Sequence, residues 1–177
     1  MNSLDLVLTA STLDPLSLEP LPPDIRRRLL RFPLGVEDSA LIPLEQIAEI
    51  LRVNVAEILP VPKMPSCILG ICNWRGEMLW LIDLNHLVGG SPLLQQEQIL
   101  TSVVAMVIQA NEQSLGLVVP QVNDIELHDL QQIQTAASGL FPSRLLPFIL
   151  GAIPGDKGTV LNVASIIQSP LWQVHRS

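Results

Sequence analysis

The sequence predicts an all-β protein, a barrel or a pair of barrels. Short apolar runs recur about every ten residues with proline or glycine between them. Several runs alternate apolar and polar residues with the period-two rhythm of a half-buried strand. Acidic or amide turn pairs, such as Glu37–Asp38 and Asn111–Glu112, separate neighbouring runs. A length of 177 residues suits one domain, or two small subdomains sharing a core. A hydrophobic content of 48% with mean hydropathy +0.40 excludes disorder for most of the chain. Only 15% of residues are charged, against about 25% in an ordinary soluble domain, so partner-covered faces are expected.

Residues 1–24 carry Pro15, Pro20, Pro22 and Pro23, and all four of their charges are acidic. Proline removes a backbone donor and restricts its predecessor, so this extension is expected outside the regular core. It reads as a tail rather than a strap that docks Leu4, Leu6 and Leu8. Leu30, Phe32 and Leu34 alternate with Arg31 and Pro33, which predicts a strand with one buried face. Ala40–Leu44 is the returning strand, with Pro43 marking an edge or an irregular position. Gln46–Leu51 is open between strand and a short helical turn. Pro60, Pro62 and Pro65 mark a loop. Cys67–Ile71 and Met78–Ile82 flank Asn73–Gly76 as two strands joined by a turn. Asp83 caps a one- or two-turn helix through Leu84, Leu87 and Val88, ended by Gly89–Gly90.

Ser91–Gln98 is a connector, and Val103–Ile108 a nearly unbroken apolar strand. Leu115, Leu117 and Val119 share one face of the next strand. Residues 128–146 read as loop. Phe148–Ile153 and Thr159–Leu161 flank a turn at Pro154–Gly158, and Val163–Gln168 suits a closing helix.

Several function classes lose support. A net charge of −7 with scattered basic residues argues against nucleic-acid binding. Cys67 and Cys72 read as two buried reduced thiols on opposite strand faces, since a structural zinc site usually needs four Cys or His ligands. No basic residue precedes Arg26 and no segment offers some 18 unbroken apolar residues, so a soluble cytosolic chain without membrane insertion is expected. No GxSxG or GxGxxG stretch occurs. In GAIPGDKG, residues 151–158, Asp156 would repel a phosphate, so a β-turn is the simpler reading. The carboxylate pairs Glu45/Glu49 and Asp124/Glu126 read as solvated surface charge. Catalytic residues, metal ligands and cofactors are expected to be absent. The competing readings are a small barrel enzyme or ligand-binding domain using Asp83 or His86, and a structural subunit of a larger assembly.

One segment stands out, Gly70-Ile-Cys-Asn-Trp-Arg-Gly-Glu-Met-Leu-Trp-Leu-Ile-Asp-Leu84. Arg75 sits in a tight turn between apolar strands with Trp74 beside it. Arginine and tryptophan are enriched at interface hot spots. Trp80 reads as a core filler and Arg75 as an interface residue.

This segment resembles the CheW-like family of coupling proteins, whose signature reads roughly G-x-x-N-L-R-G-x-x-x-P-x-x-D-L. Gly70, Asn73, Arg75, Gly76, Asp83 and Leu84 fit in register, with Trp74 in place of the leucine and Trp80 in place of the proline. LGLVVPQVNDIEL, from Leu115 to Leu127, resembles the family's V-G-x-V-V-D-x-V-x-x-V, with Pro120 in place of the aspartate. FPLGVEDSALIPLEQIAEIL resembles the opening hairpin, and FILGAIPGDKGTVLNVASII the closing strand and helix. The similarity runs over about residues 26–169.

The resemblance implies two interlocked five-stranded β-barrels, with a CheW-like domain over 25–177 after the extension at 1–24. It implies a cytoplasmic, non-enzymatic adaptor that joins a CheA-type histidine kinase to the cytoplasmic tips of chemoreceptors (methyl-accepting proteins). Carried over by position, Arg75, with Trp74 beside it, is the signalling contact. Ile47 and Glu49 fall at receptor- or kinase-facing positions, and Gly116, Val122 and Ile125 in the receptor-facing groove strand. The NWRGE…LW spelling is similar to cyanobacterial homologues serving phototaxis or type IV pilus motility.

Overall fold

The computed structural model describes residues 23–35, 37–95, 101–135, 143–155 and 158–173. The question of a tail or a strap over residues 1–22, and the lysine turn at 156–157, lie outside them. Strand β1 (Arg27–Leu34) pairs antiparallel with β2 (Asp38–Pro43). Pro43 is tolerated because the strand on the other side of β2 pairs no further than Leu41. Gln46–Leu51 resolves as both alternatives: a 3-10 turn over Leu44–Gln46, then β3 (Ile47–Asn54). β4 (Ile68–Trp74) and β5 (Glu77–Asp83) form the expected hairpin, followed by helix α1 (Leu84–Leu87). β6 (Ser102–Ala110) and β7 (Gln113–Val119) form a second hairpin about Asn111–Glu112. β8 (Ile125–His128), β9 (Gln134–Thr135), β10 (Ile149–Ala152) and β11 (Gly158–Leu161) follow. Helices α2 (Val163–Ile167) and α3 (Pro170–Gln173) close the described order.

These strands make two sheets. One has six strands in the order β8-β1-β2-β11-β10-β9, the other five in the order β3-β6-β7-β5-β4. β11 runs parallel to β2, and β5 parallel to β7. The chain starts in the six-stranded sheet, builds the whole five-stranded sheet from β3 to β7, and returns for β8 to β11. The sheets are therefore interlocked. Two barrels of five strands were expected; the short β9 adds a sixth strand to one sheet, and the described ladders close neither sheet into a complete barrel. The five-stranded sheet nonetheless brings its edges together. Beyond β3, Leu59 reaches the far edge of its sheet, where Leu59 and Ile71 each donate an N–H to the other's carbonyl at 2.9 Å. In the six-stranded sheet, the edge strands β8 and β9 are consecutive in sequence, joined through a 3-10 turn at Leu130–Gln132.

Side-chain alternation sorts the core into three clusters. The largest lies between the sheets, where Leu30, Phe32 and Ile42 meet Met106, Ile108, Leu117 and Val119 under Ile166 and Ile167 of α2. A second fills the curl of the five-stranded sheet with Val53, Trp74, Leu79, Leu81, Ala105, Val107 and Val118. A third, smaller cluster sits in the curl of the six-stranded sheet, from Leu29, Leu41, Ile153 and Val160. β1 is thus covered on both faces, not one as its sequence predicted. Arg31 points into the six-stranded curl, and the partners described below satisfy it there. Cys67 and Cys72 fall in separate clusters, both buried and unbridged. Cys67 lies just before β4, and a β-bulge between Ile68 and Gly70 interrupts the regular alternation from which opposite faces were expected. No helix among the described residues is long and apolar enough to cross a membrane.

The Leu59 bridge depends on glycine. Gly70 has φ +145°, and a Cβ there would lie 2.2 Å from the Leu59 carbonyl oxygen. Gly76 has φ +80°, but a Cβ would meet nothing within 4 Å. Gly76→Ala is expected to lose about 1–2 kcal/mol from backbone conformation alone. Gly70→Ala is expected to lose at least twice that, because the bridge must also separate. Urea midpoints of the two variants measure the difference, and equal losses would show that the bridge does not hold the sheet.

Candidate functional site

The β4–β5 hairpin ends on the pair Trp74–Glu77, leaving Arg75 and Gly76 as a two-residue turn. Their φ values of 53° and 80° are those of a type I′ turn, whose first position ordinarily takes Asn, Asp or Gly. Arginine there carries a backbone penalty of about 1–2 kcal/mol. Its side chain is organised by its neighbours. The guanidinium carbon sits 4.8 Å from the centroid of the Trp74 ring, and a guanidinium nitrogen lies 3.0 Å from Oε1 of Glu49. The same oxygen accepts the Trp74 indole N–H at 2.9 Å. Trp74 is 7% exposed while the Arg75 side chain is 64% exposed. The indole is therefore a buried platform and the guanidinium is the group that meets solvent.

Glu49 comes from β3 and Trp74 from β4, the two outer strands of the five-stranded sheet. One carboxylate thus joins the edges of the sheet and orients the arginine. Around it lies an open concavity of about 900 Å³, with Leu51, Leu59, Ile71 and Met78 among its apolar lining and Arg52, Glu57 and Glu77 at its rim. Met78 and Leu59 are 63% and 61% exposed, unusually high for large apolar side chains in a well-packed sheet.

The remaining expected residues lie elsewhere. Ile47 and Val122 are half-buried and pack against the inter-sheet cluster. Gly116 is buried, and a Cβ would come within 2.6 Å of Leu81, so it permits the close approach of β7 to β5. Ile125 is 56% exposed on β8. Leu117 and Val119, by contrast, are buried. The structure therefore unites Glu49, Trp74 and Arg75; Ile125 lies apart in a second, exposed patch with Leu127 on β8, and Val122 turns to the inter-sheet core instead.

That second patch has an inverted pattern. β8 turns Ile125 and Leu127 outward and Glu126 and His128 inward. Inside, Glu126 takes both Arg31 Nε at 2.5 Å and Arg31 Nη2 at 2.9 Å, while His128 Nε2 lies 2.8 Å from Glu126 Oε1. Arg31 also donates to the Ser39 hydroxyl. Backbone bonds lock the approach to β8: Arg31 N–H donates to the Asp124 carbonyl at 2.8 Å and Asn123 N–H to the Arg31 carbonyl at 2.7 Å. Sequence reasoning read Glu126 as solvated and residues 128–146 as loop. The structure instead makes Glu126 the acceptor of a bidentate arginine, and continues β8 through His128 toward β9. The missed signal was the alternation Ile125-Glu-Leu-His128 itself, read without knowing which face is inside.

Asp83 caps α1, accepting the His86 N–H at 3.1 Å and the Leu93 N–H at 2.7 Å. Both carboxylate oxygens are thereby held by backbone. Burial pushes the Cys67 and Cys72 thiols up, with the Asp83 and Glu57 charges adding to it respectively. Trp80, expected as a core filler, is half-buried against the inter-sheet cluster. Among the described residues no group of three or more His, Cys, Asp or Glu is placed to hold a metal ion.

Two interlocked sheets, a tight arginine turn and an outward apolar edge define the class of domain, and the comparisons identify it. The family model described as the CheW-like domain matches residues 28–170. The chain belongs to that family. The crystal structure of the scaffolding protein TtCheW from Thermoanaerobacter tengcongensis is similar, with a TM-score of 0.64 at 21% identity over 77% of this chain and 89% of that one. That likeness is one of fold. No curated protein matches the sequence.

The Glu126 carboxyl is held down at about 2, from an ordinary 4.5, first by its hydrogen bonds to Arg31 and then by His128. A depressed carboxylate stabilises the fold above its unfolded pKa and loses that contribution as pH falls through the folded one. Stability is thus expected to fall between pH 4.5 and about 2. Glu126→Gln should flatten that fall, seen as urea midpoints at pH 6, 4 and 3 that converge with those of the wild type. Parallel curves would show that the ion pair does not couple to folding.

Proposed function

We propose that this chain is a non-enzymatic signalling adaptor that couples a CheA-type histidine kinase to the cytoplasmic tips of chemoreceptor-like proteins. The observation that carries it is Arg75: an arginine held in a left-handed turn, stacked on a buried indole, tied to Glu49, and still largely exposed. Backbone strain of this kind collects where a side chain must be presented rather than packed. Arg75 is the charged contact, and Trp74 and Glu49 set its position. Glu49 reaches that turn from β3, while Ile47 on the same strand faces the inter-sheet core and supports β3 rather than the contact itself.

The second contact is β8. Inward charge and outward Ile125 and Leu127 leave an apolar strip that suits the side of an amphipathic receptor helix. Val122, packed on the inter-sheet core, and Gly116, buried between β7 and β5, shape the frame rather than the strip itself. Family membership and the capping role of Asp83 both favour an adaptor over a small barrel enzyme using Asp83 or His86. The spelling of the β4–β5 hairpin supports receptors of phototaxis or pilus motility, with the chain working in the cytoplasm beside receptor arrays.

The test is co-purification with a CheA-type kinase and with a receptor signalling-tip fragment. Arg75→Ala is expected to fold normally and weaken association, and Arg75→Glu to weaken it further, because repulsion replaces attraction. Binding unchanged by both variants contradicts the assignment.

Ile125→Asp is expected to keep its melting temperature while losing more than tenfold in receptor affinity, since burying such a side chain contributes about 1.5–3 kcal/mol. Val122→Asp is expected to lose stability as well, because Val122 touches the inter-sheet core. Calorimetry and binding measured on the same samples separate the two effects. Undiminished receptor binding by Ile125→Asp would remove β8 from the interface.

A further inference from the structure

A cavity of about 740 Å³ lies away from both patches, between α1, the 3-10 turn at Leu146–Phe148 and the junction of α2 with α3. Cys67, Leu87, Pro147, Phe148 and Leu171 make its apolar walls. Its polar wall is fixed. His86 Nδ1 lies 3.2 Å from the Gly90 carbonyl and Nε2 lies 2.9 Å from the Ser66 hydroxyl. Arg144 also lines the cavity, its aliphatic stem crossing the backbone of Gly89, where an added Cβ would lie 3.5 Å from Arg144 Cδ. Among the described residues no carboxylate pairs with Arg144, and none lines the cavity. In a chain of net charge −7, this is a largely apolar chamber whose described lining carries one arginine and no acid.

We propose that this cavity binds a small amphipathic carboxylate, its anionic head on the Arg144 guanidinium and its apolar body along Pro147, Phe148 and Leu171. The planar guanidinium matches a carboxylate with two parallel hydrogen bonds. A phosphate dianion would call for more than one cation, and the lining offers one. The volume is that of a small-molecule pocket, and Ser165, Gln168 and Ser169 in its lining are uncharged, which leaves Arg144 to fix the anionic head. The inference stands apart from the adaptor reading, since none of these residues belongs to the Arg75 turn or to β8.

Isothermal titration of the full chain with octanoate, octan-1-ol and octylamine tests it. Octanoate is expected to bind saturably at one site, with octanol and octylamine at least tenfold weaker. Arg144→Gln should abolish the advantage of octanoate over octanol, Arg144→Lys should restore part of it, and Leu171→Asp should weaken both ligands. Arg144 and Leu171 are exposed, so melting temperatures near wild type are expected for these variants. Arg75→Ala should bind octanoate as the wild type does, which separates failure here from failure of the adaptor assignment. Equal binding of octanoate and octanol by the wild type overturns the proposal. So does undiminished octanoate binding by Arg144→Gln, or capture of an apolar acidic peptide with no uptake of octanoate.

Discussion

The structure depends on β6 and β7 being apolar on both faces. One face gives Val104, Met106, Ile108, Leu115, Leu117 and Val119 to the core between the sheets; the other gives Val103, Ala105, Val107 and Val118 to the core inside the five-stranded curl. A hairpin of this kind cannot leave either face to water without losing about 25 cal/mol for each Å² exposed. Two coverings are therefore required. The six-stranded sheet with α2 supplies one, and the curl of the five-stranded sheet supplies the other. Glu49 and the Leu59–Ile71 exchange hold that curl where its edges meet. The exposed arginine is a by-product of the same closure, because the carboxylate that secures Trp74 also aims Arg75.

The six-stranded sheet fills its curl differently. Its interior is too small for a large apolar core, and part of it is filled by Arg31, Ser39, Glu126 and His128. Polar groups inside a curl must all be paired, and here a bidentate arginine does most of that work. The consequence lies on the outer side of β8. With its polar residues used inside, the strand shows Ile125 and Leu127 to solvent. Internal electrostatics and external stickiness are two faces of one four-residue strand.

Much of this was legible in the sequence because hairpins announce themselves locally. The β4–β5 and β6–β7 pairs, the α1 cap at Asp83 and the closing helix α2 all follow from turn residues and alternation within about ten positions. The resemblance to the CheW-like family rested on the same segments. What alternation could not reveal was which face is inside. Arg31 and Glu126 look like surface residues until a strand 95 residues away is laid beside β1. Glu49 likewise gave no hint of its grip on Trp74, 25 residues along the chain. Long-range pairing sets both roles, and a single sequence carries little signal for it. The barrels implied by the family were legible as two interlocked sheets; the sixth strand, β9, is only two residues long and left no pattern to read.

In the proposed function, a double-covered frame presents two separate contacts, the Arg75 turn and the β8 strip. Hydrogen–deuterium exchange of the chain, free and bound to a CheA-type kinase fragment or a receptor tip fragment, tests this most directly. Amides of residues 103–108 should be slow throughout, since that strand is bonded on both sides and covered on both faces. Binding should add protection at residues 73–78 and at 122–128, with the two partners differing in which segment they cover. Protection confined to α1 and α2, or fast exchange across 103–108 in the free chain, would contradict it.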